Sequence, residues 1–276
     1  MPELPETETI ARDLDREVAG AHIAGVEITK PDVLREASPA AFIRRLTGAT
    51  IVRSWRRAKL VVIDLDTTDH LVVQPRFTGA LLIDTGSNLD KRELDYSTLR
   101  LRLADGRSLH YRDIRRLGTV ALMSAKRFAE YTGDLGIEPL DQAFTGAHLS
   151  ALLRVSRQAI KKVLMDQRVL AGVGNIYANE ALWRAGIDPS RAARDVTADE
   201  ATRLREGIVT VLKESIEQRG TSFRDYRDAS GGRGSFAERL AVYGREGKAC
   251  LRCGSRLIGT HAIDGRTTVL CARCQK

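Results

Sequence analysis

Long apolar segments are missing from this chain of 276 residues, in which no run of 18 hydrophobic residues occurs. A membrane-spanning helix needs about that length, so none is expected. Low-complexity tracts are also missing, aromatic residues are scarce at 5%, and the acidic start does not resemble a signal peptide. These absences predict a globular, soluble and cytoplasmic protein, and the length allows two domains with separate cores.

Cysteine is absent before residue 250, and all four cysteines lie in the last 27 residues. They form two pairs, Cys250-x2-Cys253 and Cys271-x2-Cys274, with 17 residues between the pairs. Two such pairs at this spacing indicate a tetrahedral zinc site built from four thiolates. Because four thiolates leave no open coordination position for water, we expect one structural zinc ion. Two disulfides are the alternative, although nothing else in the sequence indicates an oxidising compartment.

An excess of acidic residues is found in neither half of the chain, and the net charge of +8 is unevenly distributed. Residues 1–138 carry 21 basic and 21 acidic side chains, whereas residues 139–276 carry 23 basic and 15 acidic side chains. A neutral domain joined to a basic one indicates a polyanionic partner, most often nucleic acid. Solubility alone can also account for the charge.

Short apolar segments in the first half predict β-strands. Leu99, Leu101 and Leu103 alternate with arginines, and Asp105-Gly106 follows them as a hairpin turn signal. Many short strands with close turns indicate an antiparallel sandwich or barrel. Helices are expected at 5–19 and from Ser38 to Leu46. The predicted strands are 22–29, 49–56, 60–66, 70–75, 79–84, 98–103, 107–112 and 118–123.

Helical periodicity replaces the strand pattern after a Gly- and Pro-containing linker at 134–146. The segment 221–236 is polar and glycine-rich, which predicts a mobile loop. A hairpin around Asp264-Gly265 is expected within 257–270, and it places Arg266 near the tip. The fold class is therefore α+β. The helices predicted in this half are about 147–154, 157–166, 175–185 and 198–218.

The first six residues contain a candidate nucleophile. If Met1 is removed, Pro2 presents a secondary amine, and an α-amino pKa of about 7.7–8.0 leaves a useful fraction unprotonated at neutral pH. Such an amine can condense with an aldehyde-like carbon to form a charged iminium. Glu3 places a carboxyl group beside it for proton transfer. In the alternative interpretation, Pro5 simply begins a helix whose first turn is acidic.

Four features occur in order along the chain: the Pro2-Glu3 start, Arg57-Ala58-Lys59, the turn Gly172-Val173-Gly174-Asn175, and the terminal cysteine pairs. Together they closely resemble the bacterial formamidopyrimidine-DNA glycosylase family, from residue 2 to residue 275. Members of that family are bifunctional enzymes that remove oxidised purines and cleave the resulting abasic site. The resemblance implies a nucleoid-associated monomer that binds double-stranded DNA with damaged bases or abasic sites and does not bind membranes.

The family fold implies three domains for this chain. They are an N-terminal antiparallel β-sandwich with a flanking helix, a helical domain with a helix-two-turn-helix, and a zinc-ribbon finger. The expected ranges are 2–133 for the catalytic sandwich, 134–146 for the linker, 147–236 for the helix-two-turn-helix domain with its lesion-capping loop 221–236, and 237–276 for the zinc finger.

The resemblance also implies catalytic roles. Pro2 nitrogen is expected to attack C1′ of the damaged nucleotide, and Glu3 to act as acid and base on the sugar ring oxygen. Elimination of the 3′ and then the 5′ phosphate follows from the iminium. Glu6 is expected to orient this centre, and Lys59 matches a family lysine near the phosphate and sugar of the lesion. A solvated lysine at a strand end is the alternative for Lys59.

Three further residues match DNA-contacting positions. Asn175 begins a helix after a glycine turn, and the free N–H groups of such a helix can bind a phosphate. Arg266 is expected to contact a phosphate from the zinc hairpin, and Lys161 matches a family lysine near the lesion. The alternatives are a plain helix cap at Asn175 and an exposed helix charge at Lys161.

Removing a base from a duplex requires a side chain that fills the gap. The family uses a methionine, an arginine and a phenylalanine, and the matching residues here are Phe77, Arg115 and Leu117. Gln74 and Ile114 also depart from the family, which has histidine and proline there. The departures keep a bulky apolar wedge but put the opposite-base preference in doubt. Phe77 and Leu117 could instead be core residues at strand ends.

The segment 221–236 matches the loop that covers an extruded 8-oxoguanine in this family, and related pyrimidine-specific enzymes usually lack it. Its presence favours oxidised purines as substrates. Two alternatives remain at this point: an oxidised-pyrimidine glycosylase of the endonuclease VIII branch, and a non-catalytic protein that only binds lesions.

Overall fold

Strands predominate in the N-terminal half of the computed structural model, which describes residues 2–276, and helices dominate the C-terminal half. None of the described helices has the length and apolar character needed to span a bilayer. The helices are α1 (Leu4–Val18), α2 (Pro39–Leu46), α3 (Lys91–Asp95), α4 (Ala125–Thr132), α5 (Gly146–Arg154), α6 (Ile160–Met165), α7 (Asn175–Ala185) and α8 (Ala198–Glu217). The strands are β1 (Ile23–Ile28), β2 (Leu34–Arg35), β3 (Ile51–Arg57), β4 (Leu60–Leu65), β5 (Asp69–Gln74), β6 (Gly79–Asp84), β7 (Ser97–Leu103), β8 (Ser108–Asp113), β9 (Thr119–Ser124), β10 (Ile258–Thr260) and β11 (Thr268–Leu270).

Nine of these strands form the two sheets of a sandwich, in the orders β1-β7-β8-β6 and β2-β9-β5-β4-β3. All neighbours are antiparallel except β2, which pairs with β9 in parallel. Alternate apolar residues such as Ile63 and Leu101 point into one core, and Leu14 of α1 joins them. Burying a leucine-sized side chain contributes about 1.5–3 kcal/mol, so this core is the main stabilising feature. The prediction of an α+β fold with an antiparallel sandwich and flanking helix is confirmed.

The chain divides into two units, and the loop region is grouped differently from the sequence expectation. One unit comprises the residues up to Asp134 together with Gln218–Ala237, and the other comprises Leu135–Glu217 and Glu238–Lys276. The segment 221–236 therefore lies with the sandwich, whereas the sequence expectation joined it to the helical domain. The reason is burial, because Tyr226 and Ala229 lie in the sandwich core. The part of this loop around these residues is fixed by packing.

In the second unit, a short hairpin packs beside α7. Strands β10 and β11 are antiparallel, with Ile258 opposite Leu270 and Thr260 opposite Thr268, which confirms the predicted hairpin. Asn179 of α7 accepts the N–H of Val269 at 2.9 Å. Glu180, which is fully buried, accepts the N–H groups of three consecutive residues, Ala241, Val242 and Tyr243, at 2.8–2.9 Å.

We expect the second unit to lose stability in acid because of Glu200, the acidic member of the capping box that Thr197 begins at α8. Glu200 accepts from Thr197 N and from both Arg191 nitrogens at 2.8–2.9 Å. The Arg191 hydrogen bonds lower the pKa of Glu200 from 4.5 to about 2. A depressed carboxyl pKa stabilises the fold above the unfolded value, and this stability is lost as the pH falls from about 4.5 towards 2.

Urea unfolding between pH 7 and pH 3 checks this expectation, with a Trp55→Phe background that leaves Trp183 as the reporter of the second unit. The midpoint should fall less with acid in Glu200→Gln than in the parent protein. Glu206→Gln removes an exposed acid from the same helix and should keep the parent pH dependence. Equal slopes for all three proteins would contradict the role of Glu200.

Candidate active site and metal centre

The N-terminal residues are held at the start of α1. Pro2 is buried, and Glu3 is the N-cap of α1 with only 2% of its surface exposed. Glu6 Oε2 accepts the N–H of Glu3 at 2.8 Å, which is one half of a capping box. Met1, whose removal the sequence interpretation requires, lies outside the described residues. The first turn of α1 therefore holds the peptide that follows Pro2 in a defined position.

Glu6 also joins this turn to the base of the 221–236 loop. Its Oε1 accepts the N–H of Thr221 at 2.7 Å, inside the protein. Gly220 precedes Thr221 with φ +86°, and a Cβ there would meet the Glu6 side chain at 3.0 Å. Glycine is required for both reasons, since other residues are strained at that φ and would crowd the carboxylate. One carboxylate thus contacts the N-terminal segment and the loop.

Lys59 lies in the tight turn between β3 and β4, directly before the first residue of β4. Ala58 in that turn has φ +52°. Arg56 connects the turn with α1, because it donates to Glu8 Oε2 at 2.8 Å and to the Ala58 carbonyl at 3.0 Å. Burial disfavours the charge of Glu8, but Arg56 and Arg12 outweigh it and lower the pKa of Glu8. The Lys59 turn is therefore anchored to the helix that follows Pro2.

Phe77 and Leu117 project from two neighbouring loops. They are 47% and 41% exposed, so the alternative that they are core residues is wrong. The Arg115 guanidinium lies over the Phe77 ring, with its carbon 5.4 Å from the ring centre. All three predicted gap-filling residues are thus in loops of the first unit, two of them in direct contact.

Asp113, to which the sequence analysis gave no role, connects these two loops. Its carboxylate accepts from Thr78 Oγ1 in the first loop and from Gly118 N in the second, the latter at 2.8 Å. Thr78 Oγ1 in turn accepts the N–H of Arg115 at 3.0 Å. Burial and the Asp113 charge raise the pKa of Tyr111, which therefore stays protonated and donates to Asp113. The only sequence signal for this role is an aspartate directly after the strand predicted at 107–112.

Lys161, Asn175 and Arg266 are grouped around the hairpin of β10 and β11. Asn175 Nδ2 donates to the Thr267 carbonyl at 3.1 Å, and Lys161 Nζ donates to the same oxygen at 2.9 Å. Arg266 is the preceding residue, and its side chain is exposed. Lys161 has no exposed surface, so the alternative of an exposed helix charge is wrong. Its place also differs from the expected DNA contact, because the ammonium group is occupied in holding the hairpin.

The four cysteines are brought together as free thiols at the base of the hairpin. Their sulfur atoms all lie within 4.8 Å of one another, and this cluster could hold a metal ion. Hydrogen bonding with Ser255 lowers the pKa of Cys253 to about 6, and hydrogen bonding with Cys253 raises the pKa of Cys274 to about 12. Four adjacent thiolates repel one another unless a cation compensates their charge.

Comparisons with known proteins match the whole chain. The model of the formamidopyrimidine-DNA glycosylase N-terminal domain matches residues 1–120, and the model of the H2TH domain of the same enzymes matches residues 135–227. A formamidopyrimidine-DNA glycosylase of Carboxydothermus hydrogenoformans is 42% identical over 278 residues and covers 100% of both chains. That of Pelotomaculum thermopropionicum is 39% identical over 278 residues, covering 100% of this chain and 99% of the relative.

Solved structures agree with these matches. The Lactococcus lactis enzyme in complex with DNA containing an abasic site superimposes with a TM-score of 0.90 at 31% identity, covering 99% of each chain. The Thermus thermophilus protein superimposes with a TM-score of 0.86 at 35% identity, covering 99% of this chain and 98% of that one. Full-length identity of this level shows that the chain belongs to the formamidopyrimidine-DNA glycosylase family of bifunctional DNA glycosylases and abasic-site lyases.

Proposed function

We propose that this protein excises oxidised purines, 8-oxoguanine and formamidopyrimidines, from duplex DNA and then cleaves the abasic site by β,δ-elimination. The observation that carries the proposal is the Pro2-Glu3 start at the N-terminus of α1, held by Glu6. A Lactococcus lactis relative has been solved with DNA containing a Fapy-dG lesion, which supports a purine lesion as substrate. The proposed catalytic residues are Pro2, Glu3, Glu6 and Lys59.

The Pro2 nitrogen attacks C1′ of the extruded nucleotide, and the bond from C1′ to the base breaks. The base leaves with the bonding electrons and takes up a proton from solvent, while the Pro2 nitrogen, now bonded to C1′, gives its N–H proton to the Glu3 carboxylate and regains a lone pair. Glu3 then protonates the sugar ring oxygen as the ring opens, and the nitrogen lone pair forms the C1′=N double bond. Because proline is a secondary amine, this iminium has no N–H to lose and keeps its positive charge. Glu6 positions the reacting segment through the Glu3 N–H and does not contact the sugar.

The iminium then acidifies the C2′ proton, and its loss expels the 3′ phosphate. A second proton loss, from C4′, expels the 5′ phosphate, and water finally hydrolyses the imine. We propose that Lys59 stabilises the negative charge of a phosphate near the lesion, since its turn is anchored to α1. The covalent intermediate accounts for both the glycosylase and the lyase reaction with one nucleophile.

DNA binding is proposed to use both units. Phe77, Arg115 and Leu117 fill the gap that the extruded base leaves, because two exposed apolar side chains and a guanidinium can stack between bases. Arg266 and the N-terminus of α7 at Asn175 bind phosphates, and Lys161 supports them by holding the hairpin. The expected domain ranges, with catalysis in 2–133 and DNA binding in 147–236 and 237–276, remain a prediction, except that 221–236 is grouped with the sandwich.

The metal at the cysteine cluster is proposed to be one structural zinc ion held by Cys250, Cys253, Cys271 and Cys274. Tetrahedral zinc with Zn–S bonds of about 2.3 Å needs sulfur atoms about 3.8 Å apart. The Cys253 and Cys271 sulfurs are 3.5 Å apart, so the thiols fit such an ion after small shifts. Zinc supplies charge compensation and a fixed hairpin base, and it takes no part in the reaction.

Matched duplexes carrying 8-oxoguanine, formamidopyrimidine, thymine glycol or an abasic site test the proposal. Protein with a free Pro2 amine is incubated with each duplex, with and without borohydride. Cleavage of both purine lesions and a trapped adduct that maps to Pro2 are expected. Faster cleavage of thymine glycol would assign the protein to the oxidised-pyrimidine branch. Lesion binding without cleavage or trapping would identify a non-catalytic protein.

A further inference from the structure

Arg219 lies at the centre of an ion cluster beside the proposed lesion-capping loop. Its Nη1 donates to Asp13 Oδ1 at 3.2 Å, and its Nη2 also donates to the Asp13 carboxylate. Its Nε and Nη2 both donate to Asp228 Oδ2, at 2.8 and 2.6 Å. The side chains of Asp13 and Asp228 are only 4% and 3% exposed, so the Arg219 guanidinium is shared by two buried carboxylates.

The two carboxylates belong to different parts of the first unit. Asp13 lies on α1, the helix that begins directly after Pro2-Glu3. Asp228 shapes the second half of the loop, where its Oδ1 accepts from Ser230 N at 3.1 Å and from Gly232 N at 2.7 Å. Burial disfavours the charge of Asp228, but the Arg219 hydrogen bonds outweigh it and lower the pKa of Asp228. Arg219 therefore joins a charged loop turn to the proposed catalytic helix.

Other contacts anchor the same half of the loop to the sandwich. The Ala229 carbonyl accepts the N–H of Ile83, which lies on the edge strand β6, at 2.7 Å. Tyr226 is 5% exposed and packs in the core. By contrast, Phe223 and the side chain of Arg224 are 54% and 81% exposed. The loop thus has an anchored part at 226–232 and a tip at 222–225, whose two central residues are exposed.

The two ends of the loop form a narrow stem. Thr221 and Ser235 form an antiparallel bridge, and Phe236 N donates to the Gly220 carbonyl at 3.1 Å. Arg219 has φ +61° and precedes Gly220 with φ +86°, so the chain turns sharply at its entry into the stem. Residues other than glycine, asparagine and aspartate are uncommon at such φ values. The surrounding contacts of Arg219 therefore compensate a strained backbone.

We propose that Arg219 is a positioning residue that, with Asp13 and Asp228, sets the orientation of the exposed tip 222–225 relative to α1. The proposal rests on the proposed function, because it assumes that the tip covers an extruded base. Two contacts then connect α1 to the loop stem, the Glu6–Thr221 hydrogen bond near the nucleophile and the Arg219 cluster two turns further along. Together they define both the position and the angle of the stem.

A selective effect follows from this arrangement. Excision of a damaged base requires the tip to contact that base, whereas cleavage of an abasic site involves no base for the tip to cover. Without the guanidinium, Asp13 and Asp228 are left as two buried carboxylates that repel each other, and the stem moves away from α1. Loss of Arg219 therefore weakens base excision and spares abasic-site cleavage.

Single-turnover rates on 8-oxoguanine and abasic duplexes test the inference in otherwise wild-type protein. Arg219→Met should lower the excision rate by about tenfold or more, as expected for a misplaced substrate-holding segment. Its abasic-site cleavage and borohydride trapping on abasic DNA should stay within about twofold of wild type. Arg219→Lys should recover part of the excision rate, because it returns the charge between the carboxylates.

Two further variants complete the test. Arg16→Met is the matched control, since Arg16 also donates to Asp13 at 3.2 Å from the exposed surface of α1, and its Nε donates to Glu17 of the same helix. It should leave both rates unchanged. Asp13→Asn removes the charge of the Arg219 partner on α1 and should reproduce the selective loss of base excision. This variant keeps the test decisive if Arg219→Met folds poorly.

Parallel losses of excision and abasic-site cleavage, or no loss of either, would overturn the positioning role. Failure of the proposed function gives a different result, because wild-type protein would then neither cleave nor trap abasic DNA.

Discussion

A protein in which a preceding residue stays attached to Pro2 is expected to lose borohydride trapping and base excision. In that form the Pro2 nitrogen belongs to an amide, whose lone pair is delocalised into the carbonyl group and cannot attack C1′. Removing a covalent nucleophile costs about a thousandfold or more in rate. We therefore expect rapid borohydride trapping of the DNA adduct by protein with a free Pro2 amine, and no detectable trapping by the blocked form.

A cleavable tag fused directly to Pro2, in place of Met1, allows this comparison on one polypeptide, assayed before and after a protease releases Pro2 as the first residue. Pro5→Ala is the control, because it alters a second proline in the same terminal segment without touching the amine, and its trapping should persist. Binding of abasic DNA should survive in the tagged protein, which separates loss of chemistry from loss of binding. Undiminished trapping by the tagged form would contradict Pro2 as the nucleophile.

The second large effect is expected at the cysteine cluster. Structural zinc sites contribute about 10–16 kcal/mol of binding free energy, and removal of one thiolate forfeits much of it. The hairpin of β10 and β11 contains only three paired residues on each strand, so the proposed metal would add substantially to the support from Lys161 and Asn179. Cys271→Ser should therefore release zinc and weaken binding to abasic DNA by about a hundredfold, since Arg266 loses its fixed position.

Zinc content and DNA binding at several salt concentrations check this expectation. The matched control is Leu251→Ser, which changes an exposed residue between Cys250 and Cys253 without removing a sulfur. Arg266→Ala should retain zinc and bind DNA more weakly, with a smaller dependence on salt. Unfolding of the sandwich, followed through Trp55, should not change in Cys271→Ser. Full DNA affinity of zinc-free protein would contradict a structural role for the metal.

Features that depend on neighbouring residues could be predicted from the sequence. The structure confirms the hairpin turn at Asp105-Gly106, which follows from turn chemistry and from the alternation of apolar residues before it. It also confirms the helix cap at Ser38. The short elements were missed. Helix α3 has no buried residue and α4 only Phe128, so neither has an apolar stripe to detect. Strand β2 consists of two residues that pair with β9, far along the chain.

Features that depend on distant residues could not be predicted. Lys161 is buried because its ammonium group finds partners at Thr267 and Thr268, more than one hundred residues away. The segment 221–236 has the composition of a mobile loop, yet Tyr226 finds space in the sandwich core. Asp113 connects the loops of Phe77 and Leu117 only because the fold brings Thr78 and Gly118 to its carboxylate.

By itself the sequence determined the reactive groups of this protein: a proline next to the start, a carboxylate beside it, four clustered thiols and a basic second half. These are local properties, since nucleophilicity, charge and ligand type depend on the residue and its near neighbours. Only the tertiary structure decided which groups are held and which are exposed. Burial and long-range pairing depend on the whole folded chain, and through them Glu6 and Arg219 connect the helix that follows Pro2 with the loop beside it.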